Sequence, residues 1–164
     1  MRKQALAALV VIVVAAPAAG APPRAGLFVP GKSLGGVRLG MTPAQVERLW
    51  GRDHGRCRGC PEPTWYFNYR PFTPEGAGVA FAHGRVVAVF TLWSPRGWRT
   101  SAGLRIGDVE ARVTQVYGAL VSVRCGSYSA YTFRRNGAVN AIYVLGGKVW
   151  GFGLSRPGRT RLCR

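Results

Sequence analysis

Acidic side chains are scarce in this 164-residue sequence, and so is histidine. Six Asp and Glu residues stand against 23 Lys and Arg residues, giving a formal net charge of +17 at pH 7, and there are two histidines. No two carboxylates have a spacing that suits general acid–base catalysis or glycoside hydrolysis. Serine-nucleophile motifs and a phosphate-binding glycine loop are also missing. We therefore expect a protein that is not an enzyme and carries no cofactor or metal.

Long apolar runs are missing from all but the N-terminus. Arg2 and Lys3 precede an apolar run over residues 5–16, and residues 19–21 (Ala-Gly-Ala) form a small-residue cleavage site. This pattern predicts a secretory signal peptide over residues 1–21, because the run is too short to span a bilayer. We expect a secreted or extracytoplasmic protein with no transmembrane span after signal cleavage.

The basic side chains are mostly arginine and are dispersed, with no run of five or more. One interpretation is affinity for a polyanion, such as an anionic cell-wall polymer. The other is GC-rich codon usage, which also favours the Ala, Gly, Val and Pro that are frequent here. Composition leaves both interpretations open. A nucleic-acid partner is not expected for a secreted protein.

The chain is organised around a sequence block that occurs twice. Residues 36–51 and residues 103–118 align without gaps and agree at both glycine and apolar positions. The aligned pairs are Gly36/Gly103, Val37/Leu104, Arg38/Arg105, Leu39/Ile106, Gly40/Gly107, Val46/Val113, Leu49/Val116, Trp50/Tyr117 and Gly51/Gly118. Such internal similarity predicts a tandem duplication.

Each block has the signals of a short capped helix. In the first block, Thr42 is a suitable N-cap, Gln45 completes a capping box, and Gly51 ends the helix. In the second block, Asp108 is the expected N-cap and Gly118 the expected end. Both helices are too short to be stable alone, so each must pack on the strands that follow it.

Apolar and aromatic runs after each helix predict a three-stranded antiparallel meander. The expected strands cover residues 65–69, 79–82 and 85–93 in the first unit, and residues 128–134, 141–145 and 148–154 in the second. We therefore predict an α+β fold of two tandem repeats, each a short helix followed by this meander, with both helices on one face of the sheet. The expected domains are an N-terminal arm at residues 22–33, repeat 1 at residues 34–95 and repeat 2 at residues 100–164.

Residues 40–46 (Gly-Met-Thr-Pro-Ala-Gln-Val) resemble the Gly-Met-Thr-x-x-Gln-Val signature of the SmpA/OmlA-type outer-membrane assembly lipoproteins. The tandem arrangement in a secreted chain is similar to the β-lactamase inhibitory protein family, which also stacks two helix-plus-sheet units. The resemblance implies that the signature builds a helix cap and part of the core. It assigns no partner-contacting residue to this chain. There is no lipobox cysteine, and the second copy has Gly107-Asp108-Val109 where the family has Gly-Met-Thr.

Four cysteines are expected to form two disulfides in an oxidising compartment. Three pairings are open, and the simplest joins Cys57 to Cys60 and Cys125 to Cys163. The rival interpretation makes Cys57 and Cys60 the dithiol of an extracytoplasmic thiol oxidoreductase. A thioredoxin-like site would place that pair at the start of a helix, whereas here the pair follows a helix. A zinc site that adds His54 to the cysteines is a further alternative.

Aromatic residues beside arginines are the remaining unusual feature. Most must fill the core, but one helix per unit covers only part of the sheet, so some should remain at the surface. The candidate binding face comprises Trp65, Phe67, Tyr69, Arg70, Trp93, Trp98, Tyr131, Phe133, Arg134 and Trp150. We expect a non-enzymatic binding module that contacts an unidentified protein or an anionic cell-wall polymer through this face.

Overall fold

The computed structural model describes residues 25–67, 76–158 and 163. The predicted signal peptide, the start of the predicted arm, and Tyr69 and Arg70 of the candidate binding face lie outside the described residues. Among the described residues, no helix is long and apolar enough to cross a membrane.

Most of the regular structure is β-sheet, accompanied by two short helices. The strands are β1 (Leu27–Val29), β2 (Ser33–Leu34), β3 (His54–Arg56), β4 (Thr64–Phe67), β5 (Gly76–Ala82), β6 (Arg85–Leu92), β7 (Arg99–Thr100), β8 (Val121–Cys125), β9 (Tyr128–Arg135), β10 (Ala138–Leu145) and β11 (Lys148–Ser155). The helices are α1 (Pro43–Trp50) and α2 (Ala111–Tyr117). A large antiparallel sheet has the order β3-β4-β5-β6-β11-β10-β9-β8, and a small sheet has the order β2-β1-β7.

The predicted α+β fold of three-stranded meanders is wrong. Four strands of the large sheet follow each helix, because β3 and β8 precede the three strands expected in each unit. Both are edge strands of the large sheet, and most of their side chains are at least partly exposed. The three residues of β3 include no apolar side chain, and the alternation of valine and polar residues in β8 is too short to stand out beside the longer apolar runs. The chain is therefore a mostly β protein built on one eight-stranded sheet.

The first helix begins as the sequence predicts. The Gln45 amide donates to the Thr42 hydroxyl, and the Thr42 amide donates to Gln45 Oε1 at 2.8 Å, so the predicted capping box is confirmed. The predicted Asp108 cap on the second helix is wrong. Asp108 accepts from the Arg105 amide at 2.8 Å, and the N-cap is Glu110, which makes no side-chain cap bond.

The loop before each helix is held to the last strand of its own meander. The Gly40 amide donates to the Val86 carbonyl, and the Val86 amide donates to the Met41 carbonyl, both at 2.8 Å. Gly40 has a φ of 85°, a backbone conformation that favours glycine. The equivalent bonds in the second unit join Gly107, Asp108 and Val149. The duplication itself stays a prediction, but both loops have the same contact with the sheet.

The main core lies on the helix-bearing face of the large sheet. Its buried members are Phe28, Leu34, Val37, Val46, Trp50, Phe67, Ala77, Val79, Phe81, Val86, Val89, Trp98, Leu104, Val113, Ala138, Ile142, Val144, Val149, Phe152 and Leu154. Both helices, both sheets and the loops between them contribute to this cluster. The Trp50 indole N–H donates to the Gly35 carbonyl at 2.8 Å, which satisfies its polar atom inside the core.

The opposite face of the large sheet carries aromatic rings over glycines of neighbouring strands. A Cβ atom on Gly78 would lie 2.5 Å from the Phe90 ring, and one on Gly153 would lie 2.5 Å from the Tyr143 hydroxyl oxygen. Rings can therefore lie flat on this face because the adjacent strand lacks side chains there. Buried side chains form two smaller clusters on this face, one in each half of the sheet.

Candidate functional site

The residues of the predicted binding face do not form one surface. Phe67 and Trp98 are 0% and 1% exposed in the main core, so neither side chain can contact a partner and their assignment to that face is corrected. Each ring packs edge-on against Trp50, at centroid distances of 5.1 and 6.4 Å. Their role is to line the space where the first helix meets the sheets.

Tyr131 and Phe133 are half-buried and pack against the main core. The Tyr131 hydroxyl donates to the Glu110 carboxylate at the start of α2, and this bond raises the pKa of Tyr131 above its ordinary value of 10.0. Phe133 packs on Tyr117 of the same helix, with ring centroids 5.2 Å apart. Both residues hold α2 to the sheet, a role that their position beside arginines in the sequence does not reveal.

Trp93 and Trp150 lie away from the main core, on the glycine-rich face of the sheet. Trp150 is buried against Tyr128 and Tyr143, with ring centroids 5.1 and 5.5 Å apart. Trp93 is 57% exposed, and its ring centroid lies 6.1 Å from that of Trp150. We call these four residues the aromatic cluster. Arg134, also a member of the predicted face, is exposed on β9.

A basic cleft opens beside the turn between β9 and β10, where β11 also ends. The cleft has a volume of about 670 Å³. Its lining residues are Gly31, Lys32, Arg38, Leu39, Asn136, Gly137, Ala138, Leu154, Arg156 and Pro157. Three of them are cations and none is acidic, so we call it the cationic cleft.

A buried polar contact positions the turn that carries Lys32. The Gly31 amide donates to Asn140 Oδ1 at 2.6 Å. Asn140 is 0% exposed, and its Nδ2 donates to the Phe133 carbonyl at 3.2 Å. A Cβ atom on Gly31 would lie 2.7 Å from the Arg135 carbonyl oxygen, so only glycine allows so close an approach. Because a buried amide fixes this contact, the cleft wall is a defined part of the fold.

Two guanidinium groups lie close to Gly40, and one of them, that of Arg156, lines the cleft. Arg85 Nη1 donates to the Gly40 carbonyl at 3.4 Å, and a Cβ atom on Gly40 would lie 3.4 Å from Arg156 Nη2. Arg38 lies two residues before Gly40 and lines the same cleft. Like charges placed together repel one another, and a bound anion relieves that repulsion. The arrangement is thus suited to hold an anionic group.

A second cleft of about 570 Å³ adjoins the first and shares Arg156 and Pro157 with it. Its lining residues are Val121, Thr132, Phe133, Arg134, Val139, Ser155, Arg156, Pro157 and Gly158. Most of the lining surface is apolar, with Arg134 and Arg156 as the charged members, so we call it the apolar cleft. Val121 is 68% exposed on the edge strand β8.

Three of the described carboxylates make contacts outside the clefts. Glu47 pairs with Arg52 at 3.6 Å, and Asp108 accepts a backbone amide. Glu110 accepts from Tyr131. None of these three carboxylates lines either cleft.

Both disulfides are formed, and their pairing is the simplest one that the sequence allowed. Cys57 is bonded to Cys60, and Cys125 is bonded to Cys163. The first bridge lies in the loop between β3 and β4, whereas the oxidoreductase interpretation needs a dithiol at the start of a helix. The second bridge ties Cys163 back to the end of β8.

The zinc alternative does not fit this arrangement, because no cysteine is left as a free thiol. His54, its remaining ligand, stacks on Trp65 with ring centroids 3.8 Å apart. His54 Nε2 also lies 3.5 Å from Glu47 Oε1. Trp65, another member of the predicted binding face, thereby packs the loop after α1 against the sheet.

No protein-family model matches the sequence, and no curated protein matches it. Solved structures do share the fold. The chain is similar to an extracellular protein containing an SCP domain from Bacillus anthracis, with a TM-score of 0.54 and 11% identity over 73% of this chain and 44% of that one. It is also similar to a cysteine-rich secretory protein from Staphylococcus aureus, with a TM-score of 0.53 and 11% identity over 84% of this chain and 50% of that one.

A DUF4309 family protein from Bacillus subtilis has a TM-score of 0.48 and 10% identity over 70% of this chain and 78% of that one, too little similarity to support an argument. The chain spans 44% and 50% of the two more similar structures. Identities this low show a shared fold and do not transfer a function.

Proposed function

We propose that the protein is an extracytoplasmic, non-enzymatic binding module that holds an anionic partner from the cell envelope in the cationic cleft. The observation that carries this proposal is the presence of Lys32, Arg38 and Arg156 in one cleft with no acidic lining residue. An anion bound there gains charge-assisted hydrogen bonds and relieves repulsion between the cations. The partner is an anionic polymer, lipid or protein.

Three observations support the extracytoplasmic location. Residues 1–21 have the pattern of a signal peptide. Two disulfides are formed, as is common in oxidising compartments. The two more similar solved structures belong to proteins described as extracellular and secretory.

Two parts of the sequence-based hypothesis stay within this proposal. Trp93, which packs on the buried Trp150, and the exposed Arg134 are retained as separate contact residues for a protein partner. The relationship to the SmpA/OmlA and β-lactamase inhibitory protein families is retained as a proposal about origin. In that proposal, residues 40–46 cap a helix and hold it to the sheet.

The proposal is tested by removing two cleft charges and comparing the result with an equal charge loss elsewhere. The variant Arg38→Gln/Arg156→Gln should leave a phosphocellulose column at a clearly lower salt concentration than the unmodified protein, because direct phosphate contacts are lost. Arg48→Gln/Arg112→Gln removes the same net charge from exposed positions on the two helices. It should cause a smaller decrease. Equal decreases would mean that only the net charge matters, and the cleft proposal would fail.

A further inference from the structure

Exposed apolar side chains gather around the first residues of β11. Among the described residues, six large apolar side chains are at least 40% exposed, and three of them lie here: Trp93 at 57%, Val109 at 60% and Leu145 at 40%. Lys148, the first residue of β11, pairs with Leu145 on one side and with Val109 on the other. Directly opposed residues of antiparallel strands project from the same face. Val109, Lys148 and Leu145 therefore stand side by side.

The aromatic cluster continues this surface. Leu145 lies opposite Tyr128 on β9, and the Tyr128 ring packs edge-on against Trp150 with centroids 5.1 Å apart. Trp150 in turn contacts Trp93. The row of paired residues and the two indole rings thus form one surface, which we call the tryptophan patch. Its members are Trp93, Val109, Tyr128, Leu145, Lys148 and Trp150.

A hydrogen bond holds the loop that carries Trp93. Trp93 and Ser94 have φ angles of 50° and 52°, a left-handed conformation that few residues other than glycine adopt. The Ser94 amide donates to the Trp150 carbonyl at 3.0 Å, which ties this loop to β11. Backbone of this kind persists only where its surroundings hold it, and it is frequent at functional sites. The exposed indole therefore rests on a backbone that is fixed in place.

The charge of the patch is positive. Lys148 is its one ionisable cation and is exposed. Asp108 and Glu110, the nearest acidic residues in the sequence, have bonded carboxylates. Asp108 accepts the Arg105 amide at 2.8 Å, and Glu110 accepts from Tyr131, which packs against the main core on the other face of the sheet. The protein as a whole has a net charge of +17, so an anionic surface attracts it.

We infer that the tryptophan patch docks on the surface of an anionic lipid bilayer. The indole of Trp93 lies at the level of the lipid headgroups, a position that tryptophan favours. Leu145 and Val109 reach the boundary of the acyl chains, and Lys148 pairs with a lipid phosphate. The protein lies on the bilayer in this arrangement. The patch is separate from the cationic cleft, so the inference goes beyond the proposed function and does not depend on it.

The size of the patch favours a lipid surface over a protein. A stable protein interface takes about 20–30 residues from each partner, whereas the patch has six members. A bilayer needs only a few apolar side chains to enter it when charge attracts the protein to its surface. The protein partner retained above for Trp93, and a second copy of this chain, are the competing occupants.

The test is co-sedimentation of the mature protein with lipid vesicles. One set contains phosphatidylcholine and phosphatidylglycerol in about a 2:1 ratio, and the other contains phosphatidylcholine alone. Binding to the anionic vesicles should be at least about tenfold tighter. Trp93 is the most exposed of the five tryptophans, so tryptophan fluorescence should shift to shorter wavelength on binding and should be quenched by brominated lipid.

Substitutions with matched controls locate the contact. Trp93→Ala should weaken binding to the anionic vesicles about tenfold, and Leu145→Ser about threefold, because less apolar surface enters the bilayer. Val121→Ser, at a side chain that is 68% exposed and outside the patch, should leave binding unchanged. Lys148→Gln should weaken binding more than Arg48→Gln, which removes the same charge from an exposed position on α1. Far-ultraviolet circular dichroism checks that each variant is folded.

Four results would overturn the inference. The first is no binding to the anionic vesicles, and the second is equal binding to both kinds of vesicle. The third is binding that is lost in Arg38→Gln/Arg156→Gln and unchanged in Trp93→Ala, which would place the lipid in the cationic cleft and leave the proposed function standing. The fourth is self-association that Trp93→Ala abolishes in sedimentation measurements without vesicles, which would show that a second copy covers the patch.

Discussion

Thr42 shows at the residue scale how one hydroxyl determines where a helix begins. Its oxygen accepts the Gln45 amide, which would otherwise lack a partner at the helix start. Thr42→Ala should lower the free energy of unfolding by about 1 kcal/mol, as measured by urea denaturation. Thr42→Ser keeps the oxygen and should be close to neutral. If the free energy of unfolding fell as much for the serine variant as for the alanine variant, this role of the hydroxyl would be contradicted.

The hydrogen bond between Tyr131 and Glu110 makes the stability of the fold depend on pH. Its hydrogen bond to Glu110, burial and the Glu110 charge raise its pKa above 10.0. Because the pKa is higher in the folded state, the bond stabilises the fold below pH 10.0, and this stability is lost as pH rises through the folded-state pKa. Burial also raises the pKa of Tyr117, so the ultraviolet absorbance of tyrosinate should show one late-titrating tyrosine fewer in Tyr131→Phe than in the unmodified protein.

Glu110→Gln is the partner variant for this measurement. It removes the charge and keeps an acceptor oxygen, so the pKa of Tyr131 should move back towards its ordinary value. An unchanged titration curve in Glu110→Gln would show that the carboxylate does not cause the shift.

Element packing on the glycine-rich face depends on the absence of side chains at particular strand positions. Gly153→Ala would place its Cβ atom 2.5 Å from the Tyr143 hydroxyl oxygen and should cost about 1–3 kcal/mol of unfolding free energy. The cost should be smaller when Tyr143→Phe is also present, because the clashing oxygen is gone. Chemical denaturation of the four proteins in this double-mutant cycle measures the difference.

Gly55→Ala is the matched control for that cycle. Gly55 is exposed on the edge strand β3, and the atom nearest to a new Cβ is 3.9 Å away. The substitution should change stability by less than about 0.5 kcal/mol. If Gly153→Ala changed the stability equally little, the packing of the Tyr143 ring would not depend on the absence of a side chain at residue 153.

The elements differ in how far the sequence could predict them. The signals that start α1 lie within the helix segment itself, at residues 42–50. They are an N-cap threonine, a proline and a glutamine, so the sequence alone could predict α1. The edge strand β3 has no apolar residue, whereas β8 has a short Val-Ser-Val-Arg-Cys alternation that the prediction missed. Arg156 is far from Lys32 and Arg38 in the chain and lines the same cleft only because the fold brings the end of β11 beside the loops around β2. No local signal can reveal a site assembled in this way.

The net charge of +17 determines how the whole molecule responds to salt. Repulsion among many cations opposes the compact state, and salt screens it. The midpoint of thermal unfolding should therefore rise by several degrees between about 0.05 and 0.5 M sodium chloride. Arg48→Gln/Arg112→Gln carries two fewer charges and should show a smaller rise. A midpoint that falls with salt would show that ion pairs outweigh the repulsion.

The junction between β6 and β11 has a consequence for the order in which the chain is made. Phe90 of β6 pairs with Gly153, near the C-terminal end of the described chain. During synthesis and export from the N-terminus, β3 to β6 therefore emerge before β11. The backbone hydrogen-bonding groups on one edge of β6 then have no partner strand. Its partner strand β11 arrives only after β7, α2 and β8 to β10 have crossed. Association of this unpaired edge of β6 with another nascent chain is the misfolding route that this topology favours.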